Sequence, residues 1–386
     1  MNCYKLRDLL QIKNGKDHKE LGEGNIPVFG SGGIMRYADK AIYDEESILL
    51  PRKGTLSNIQ YVNKPFWTVD TIYYTVINQQ LANTFFLYNY LKTLDLSSLD
   101  SGTGVPSMTF NSYYDLKIYL PSIETQQKIA AVLSSLDAKI ALNNHINTEL
   151  EAMAKTLYDY WFVQFDFPDA NGKPYKTSGG KMVYNSALKR EIPDGWQDYS
   201  LWDIADYFNG LAMQKFRPTD DNFLRVIKIR EMNEGFSDGT EKAKPEIPIK
   251  AIVENGDVLF SWSATLDVKI WSQGRGALNQ HIFKVTSTKY PKSFYYFELL
   301  NYLHHFKMIA EKRKTTMGHI TQDHLKQSRI VAGPLELINK LDCNLKPIFE
   351  KNLVLEQEKQ QLIQLRDYLL PMLMNGQVTV VNKGDI

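Results

Sequence analysis

The chain contains an internal repeat, and this repeat constrains the fold more than any other feature. Residues 6–15, LRDLLQIKNG, align with residues 201–210, LWDIADYFNG, with Leu, Asp, Asn and Gly at identical positions. Further along, the apolar segments 47–50 and 257–260 are each followed at the same distance by a threonine, Thr55 or Thr265. Similarity that recurs in the same order indicates duplication. We therefore expect two copies of one unit, each a globular domain followed by a long helix.

The second half of each unit has the apolar spacing of a long helix. The apolar residues there recur at alternating steps of three and four positions, which is typical of a coiled-coil seam. At about 1.5 Å rise per residue, some 35 residues make a rod of roughly 50 Å. Neither rod can bury its apolar stripe alone, so each needs the other or a partner protein. The predicted seam comprises Leu133, Leu136, Ile140, Asn143, Leu150 and Leu157 in the first helix and Leu341, Leu345, Ile348, Asn352, Leu355 and Leu362 in the second.

Three asparagines, Asn143, Asn147 and Asn352, interrupt this seam. A buried polar residue there would control the register of the helix pair, because misaligned pairings would leave it without a partner. Alternatively, each asparagine faces solvent where the helices splay apart. The second helix also contains Pro347, which predicts either a kink or a start further downstream.

These patterns divide the chain into successive segments. We expect a first domain over 1–121, a long helix over 122–164, a connector over 165–195, a second domain over 196–333, a second long helix over 334–375 and a tail over 376–386. The connector is rich in Gly, Pro, Lys and Ser, and residues 181–184 could add a short strand.

Composition excludes several classes of protein. No apolar run approaches the ~20 residues that cross a bilayer, and the N-terminal residues lack the apolar core of a secretory signal. The only cysteines, Cys3 and Cys343, are too far apart to suggest a disulfide framework or a zinc motif. We therefore expect a cytoplasmic protein. The net charge of +1 argues against a large basic surface, although a small basic face can be balanced by acidic residues elsewhere.

The sequence motifs favour no catalytic function. Ser31 occupies the place where a methyl-donor loop of the Phe-x-Gly-x-Gly kind needs glycine, and we find no phosphate-binding loop. There is no Asn/Asp-Pro-Pro-aromatic motif for a flipped base. A nuclease site could be assembled from Asp194, Asp267 and Lys269, although Asp194 lies in the connector. The histidines that could be imagined as metal ligands are more typical of surface or core positions; they are His304, His305, His319 and His324. We expect no catalytic residue, no metal and no cofactor in this chain.

Several segments carry a family resemblance. They are residues 120–129 (LPSIETQQKI), 157–162 (LYDYWF), 165–168 (FDFP) running to 192–196 (IPDGW), and 27–34 (PVFGSGGI). Together the chain resembles the specificity subunit of a type I restriction-modification system, over essentially its whole length.

The resemblance implies an α+β fold: two globular mixed α/β target-recognition domains, separated by two long antiparallel coiled-coil helices, related by a pseudo-twofold repeat. It implies a host-defence protein that recognises a bipartite double-stranded DNA site, one domain per half-site. It also implies that the helices dock methyltransferase subunits, two in number, and that restriction subunits complete the nuclease. Methyl donor and ATP then belong to those partners.

Candidate DNA contacts are polar and basic residues in loops, because cations position a protein on phosphates while Arg, Asn, Gln and Ser read base edges. Each could instead belong to a solvated loop. In the first domain we select Arg52, Lys53, Ser57 and Asn58, after a strand-like segment. In the second domain we select Lys312, Arg313, Lys314 and His319, with Arg275, Gln280 and His281 as additional candidates.

Two other functions stay open at this level. A coiled-coil protein-binding adaptor would suit the near-neutral charge. A stand-alone DNA nuclease or methyltransferase would require a metal or methyl-donor site that the motifs do not supply.

Overall fold

The computed structural model describes residues 1–96, 106–312 and 319–381, without the side chain of Lys312. Contacts between residues divide the chain into two compact units. Unit 1 comprises Met1–Ile140 and Leu362–Ile386, and unit 2 comprises Ala141–Gln361. Each unit thus contains a globular part and a portion of both long helices. No helix in the part of the chain that the structure describes is both long and apolar enough to cross a membrane.

Unit 1 begins with strand β1 and is built mainly from antiparallel strands. The strands are β1 (Asn2–Lys5), β2 (Leu10–Asn14), β3 (Ile26–Gly30), β4 (Gly33–Ala38), β5 (Ser47–Pro51), β6 (Gln60–Val62), β7 (Trp67–Thr68), β8 (Ile72–Ile77) and β9 (Lys117–Leu120). The helices are α1 (Leu6–Leu9), α2 (Thr84–Lys92), α3 (Phe110–Tyr114) and the start of α4 (Ile123–Tyr158). The main sheet has the order β2-β8-β5-β6, beside a smaller sheet β4-β3-β7 and the pair β1-β9. Every residue of β5 is buried, which explains its nearly unbroken apolar sequence.

Unit 2 repeats this arrangement. Its strands are β10 (Met182–Asn185), β11 (Arg190–Pro193), β12 (Gln197–Ser200), β13 (Asp206–Asn209), β14 (Leu224–Ile227), β15 (Lys242–Ala243), β16 (Ile252–Val253), β17 (Val258–Ser261), β18 (Asp267–Ile270), β19 (Gly276–Leu278), β20 (Ile282–Thr286) and β21 (Arg329–Ala332). Its helices are α5 (Leu201–Ile204), α6 (Ile229–Glu234), α7 (Lys292–Lys312), α8 (Gln322–Gln327) and α9 (Leu335–Met374), whose residues from Leu362 onward belong to unit 1. A π-helical turn (Asp159–Val163) follows α4, and 3-10 turns lie at Met213–Lys215 and Ile249–Ala251.

The sheet orders show the duplication directly. The main sheet of unit 2 is β13-β20-β17-β18, which matches β2-β8-β5-β6 strand for strand, and β12-β21 matches β1-β9. In the smaller sheets, β3 pairs in parallel with β7, and β14 pairs in parallel with β19. The repeat predicted from sequence therefore corresponds to one fold present twice.

The repeated glycine, Gly15 or Gly210, is required for the same structural reason in both units. A Cβ atom on Gly15 would lie 2.0 Å from the carbonyl oxygen of Val69, and one on Gly210 would lie 2.2 Å from that of Asn279. The backbone amide of the following residue donates to a carbonyl of the smaller sheet in each unit: Lys16 to Thr68, and Leu211 to Leu278. A side chain would therefore collide with the backbone of the smaller sheet, so only glycine fits.

We expect Gly15→Ala and Gly210→Ala each to lower the free energy of unfolding by roughly 2–3 kcal/mol, because the added methyl group must push two backbone segments apart. Urea unfolding followed by circular dichroism measures this. Gly32→Ala is the matched control, since a Cβ there meets nothing within 4 Å. If all three variants unfolded at the midpoint of the native chain, the close approach would not explain the repeated glycine.

The two long helices pair in opposite directions within unit 2. The side-chain amide of Asn143 donates to Glu358 at 2.8 Å, and that of Asn147 donates to Glu356 at 2.9 Å. Asn143 and Asn147 are buried, so they do not face solvent, and these two hydrogen bonds fit a role in fixing the register. Of the predicted seam residues, Leu133, Leu341, Leu345 and Leu355 are buried, whereas Leu136, Ile140, Leu150, Leu157, Ile348, Asn352 and Leu362 are half-buried.

Helix α9 does not begin after Pro347. It starts at Leu335 and is helical through Pro347 to Met374, so the predicted later start is wrong. Proline lacks the N–H that would bond one turn back. Leu341 and Leu345, however, lie in the main apolar core of unit 2, with Ile348 packed against it, and this burial on both sides of the proline offsets the missing bond.

The segment 165–195 packs onto unit 2 as a folded element. Met182–Asn185 pairs with Arg190–Pro193 as an antiparallel hairpin, which includes the short strand suggested by the sequence. Phe165 and Phe167 are buried in the same apolar core as Trp196, and the rings of Phe167 and Trp196 stack at 5.0 Å. The connector is thus anchored by aromatic side chains.

Candidate nucleic-acid interface

The loop that follows β5, residues 52–58, is held by backbone hydrogen bonds and presents polar side chains. The Arg52 amide donates to the carbonyl of Thr71, and its own carbonyl accepts from the amide of Met108. Gly54 has φ +89°, a left-handed conformation that favours glycine. We call residues 52–58 the first loop.

The candidate residues of the first loop differ in how free their side chains are to contact a ligand. Lys53 and Ser57 are exposed. The Arg52 guanidinium lies 6.0 Å from the ring centre of Tyr73 and donates to the carbonyl of Asp70 at 3.3 Å. Asn58 donates its side-chain amide to the carbonyl of Ser31 at 2.6 Å, so this donor already ties the loop to the β3–β4 turn. Burial raises the pKa of Tyr73, so the ring beside Arg52 stays neutral at pH 7.

An open cavity of about 340 Å³ lies beside the first loop. It is lined by Asn14, Arg52, Lys53, Tyr73 and residues 107–110. Among the described residues that line it, Arg52 and Lys53 are the cations, which makes the cavity suited to an anionic or hydrogen-bonding ligand.

The equivalent loop of unit 2 is residues 262–265, which we call the second loop. The carbonyl of Trp262 accepts from Ile320 at 2.9 Å, as that of Arg52 accepts from Met108 at 3.0 Å. Ala264 has φ +53°, the counterpart of Gly54. Trp262 therefore occupies in unit 2 the position that Arg52 occupies in unit 1.

Around the second loop, aromatic and imidazole rings cluster. The Trp262 ring lies 5.7 Å from His281 and 5.5 Å from His319, measured between ring centres. Its Nε1 donates to the side chain of Asn209 at 2.9 Å. Ser263 lies 3.3 Å from Nδ1 of His281, and the side chain of Gln280 is also in contact with His281. The structure thus brings His319 together with Gln280 and His281, candidates that come from two separate segments of the sequence.

Sequence reasoning missed Trp262 and Asn209. The signal was present, because aligning segment 47–50 with 257–260 places Trp262 opposite Arg52. A search for basic residues passed over an aromatic side chain at that position. Arg275, by contrast, lies apart in an ion pair with Glu254 at 3.2 Å. Arg313 and Lys314 lie outside the described residues, and Lys312 is the last residue of α7.

The nuclease grouping considered from the sequence is divided between two ion pairs. Asp194 pairs with Lys181 at 2.9 Å, and Asp267 pairs with Lys269 at 3.5 Å. Within residues 1–96, 106–312 and 319–381, no group of three His, Cys, Asp or Glu side chains is placed to hold a metal ion.

Comparison with known proteins agrees with the repeat. The family model described as type I restriction modification DNA specificity domain matches residues 1–152 and again 193–364. The MjaIX type I restriction enzyme specificity subunit of Methanocaldococcus jannaschii is 23% identical, covering 97% of this chain and 93% of the relative. The HindI specificity subunit of Haemophilus influenzae is 26% identical, covering 72% of each chain.

A solved structure shares the fold. The S subunit of a type I restriction-modification system from M. genitalium superposes with a TM-score of 0.66 at 15% sequence identity, covering 96% of this chain and 95% of that one. The resemblance noted in the sequence is therefore confirmed by the family model, by the relatives and by the fold. Since the family model covers well over half of its length, this chain belongs to the type I restriction-modification DNA specificity family.

Proposed function

We propose that each unit reads one half of a split site in double-stranded DNA, the first loop serving one half-site and the second loop the other. The observation that carries this proposal is the structural equivalence of the two loops. Arg52 and Trp262 share one position in the repeated fold, with the same backbone hydrogen bond to the chain after them. Two equivalent surfaces with different side chains are what a bipartite, non-palindromic site requires.

The chemistry of the loops suits different parts of the duplex. Arg52 can donate two hydrogen bonds to a guanine edge, and Lys53 can neutralise a phosphate. In the second loop, the Trp262 ring offers apolar contact to a thymine methyl group or to a sugar. Ser263, Gln280 and His281 supply donors and acceptors beside it. We therefore expect direct reading of bases in both halves.

As a member of this family, the chain assembles with other subunits. We propose that two methyltransferase subunits dock on the long helices and that restriction subunits join the complex. Support comes from large apolar side chains that both helices leave exposed. They are Leu142 and Met153 on α4 and Val354, Leu365 and Tyr368 on α9. Methyl transfer and cleavage then reside in the partners.

The test is selection of bound sequences from a random duplex pool by the chain together with methyltransferase subunits. We expect two conserved blocks separated by a gap of fixed length and variable sequence. A single continuous block, or no sequence preference, would contradict the proposal.

A further inference from the structure

The smaller sheet of unit 2 places two exposed cations directly opposite each other. Arg225 on β14 and Lys242 on β15 are partners in the antiparallel ladder, and both side chains are exposed. Val226, the next residue, is fully buried, so Arg225 points to the outer face of the sheet. Side chains of a directly opposed pair stand about 5 Å apart, and like charges there destabilise the sheet.

In the part of the chain that the structure describes, no carboxylate lies within ion-pair distance of these cations. Arg225, Lys242 and the nearby Lys244 take part in none of the ion pairs found among the described residues, although Lys228, just after β14, pairs with Glu241, just before β15. Instead the three cations lie over aromatic rings. The Lys242 Nζ lies 3.8 Å from the ring centre of Phe223, Arg225 lies 5.5 Å from Phe236, and Lys244 lies 5.9 Å from Phe216. Such contacts hold a cation in place without neutralising its charge.

Comparison with unit 1 indicates that the fold does not require cations at this pair of ladder positions. Thr68 and Leu278 occupy equivalent positions in the two units, since the carbonyl of each accepts a hydrogen bond from the amide that follows the repeated glycine. Their ladder partners, Phe29 and Ile227, are therefore equivalent too. Two residues earlier lie Pro27 and Arg225, and the residue opposite Pro27 is Tyr37. Unit 1 thus has two uncharged residues at the corresponding pair, next to a register irregularity between Val28 and Phe29.

We propose that the outer face of the β14–β15 pair binds the phosphate backbone of duplex DNA through Arg225, Lys242 and Lys244. The inference rests on the proposed function and extends it, because these cations would position unit 2 on the duplex without reading its sequence. An array of uncompensated cations that the fold itself does not require is best explained by an anionic ligand, and the phosphates of a duplex supply a regular row of negative charge.

The test measures DNA affinity as a function of salt for the double variant Arg225→Gln/Lys242→Gln. Each lost phosphate contact lowers the slope of log affinity against log salt by about 0.9, so we expect the slope to fall by about two. Affinity for selected and unrelated duplexes should drop alike, and the base preferences in both half-sites should stay unchanged. Arg225→Lys, which keeps the charge, should retain the native slope, and Lys242→Gln alone should lose about one.

The matched control is Lys173→Gln/Lys189→Gln, which removes the same charge from exposed positions of the segment 165–195 and should leave the slope unchanged. Folding is checked by urea unfolding, where removing the like-charge pair should leave the midpoint equal or slightly higher. A native slope in the Arg225→Gln/Lys242→Gln variant would overturn the inference while leaving the proposed function intact. Failure of the native chain to bind any duplex would instead overturn the proposed function.

Discussion

Removal of one heptad from each long helix is expected to shorten the gap between the two half-sites by about three base pairs. The deletion takes residues 143–149 from α4 and residues 352–358 from α9. Seven residues span ~10.5 Å of helix, and the duplex rises ~3.4 Å per base pair. Both helices join the chain segments of the two units, so shortening them together should bring the half-sites closer.

The contacts of the helix pair dictate where the deletion is made. Asn143 hydrogen-bonds to Glu358 and Asn147 to Glu356, so the matched deletion removes both pairs together with both partners. A deletion in α9 alone would remove the partners of the buried amides of Asn143 and Asn147, which costs about 1–3 kcal/mol for each group. The apolar seam continues in phase on either side, because seven residues are close to two helical turns.

A variant of unchanged length separates helix length from polar pairing. Asn143→Leu and Asn147→Leu combined with Glu356→Gln and Glu358→Gln removes the same hydrogen bonds and keeps every residue position. We expect it to retain the native gap, as measured by selection from a random duplex pool. If the shortened, assembled complex also kept the native gap, something other than the helices would set the spacing.

The duplicated fold could be predicted because it is encoded locally. The motif around Gly15 and Gly210 marks a close backbone approach, and the apolar runs of β5 and β17 mark central strands. Both signals depend on a few neighbouring residues. In the long helices, helical periodicity likewise places Leu341, Leu345 and Leu355 in one stripe along α9.

Features that depend on tertiary contacts could not be predicted in this way. The helix through Pro347 persists because distant core residues pack against it, which local rules for proline do not include. Glu298 on α7 is buried, accepts a hydrogen bond from Tyr158 at 2.6 Å, and has its pKa raised to about 7 by that burial. Nothing in the sequence near Glu298 indicates such a partner.

The candidate site was partly predictable for the same reason. The search for basic and amide side chains selected Arg52 and Lys53 in the first loop but chose a cationic run, Lys312 to Lys314, for the second domain. The structure instead makes Trp262 the counterpart of Arg52. Alignment of the repeat locates Trp262 opposite Arg52, a position that a search for charge does not find. The Lys312 to Lys314 run stays a prediction.

The most direct test of the central claim, that each unit reads its own half of a split site, compares two single variants in the duplex selection. We expect Arg52→Ala to relax base preference in one block only and Trp262→Ala to relax it in the other block only. Each loss should correspond to about 1–3 kcal/mol of discrimination. Arg7→Ala is the control, since Arg7 forms an ion pair with Asp115 outside the loops, and it should alter neither block. Separate effects on separate blocks are the predicted result. Loss of preference in the same block for both variants would contradict the division of the site between the two units.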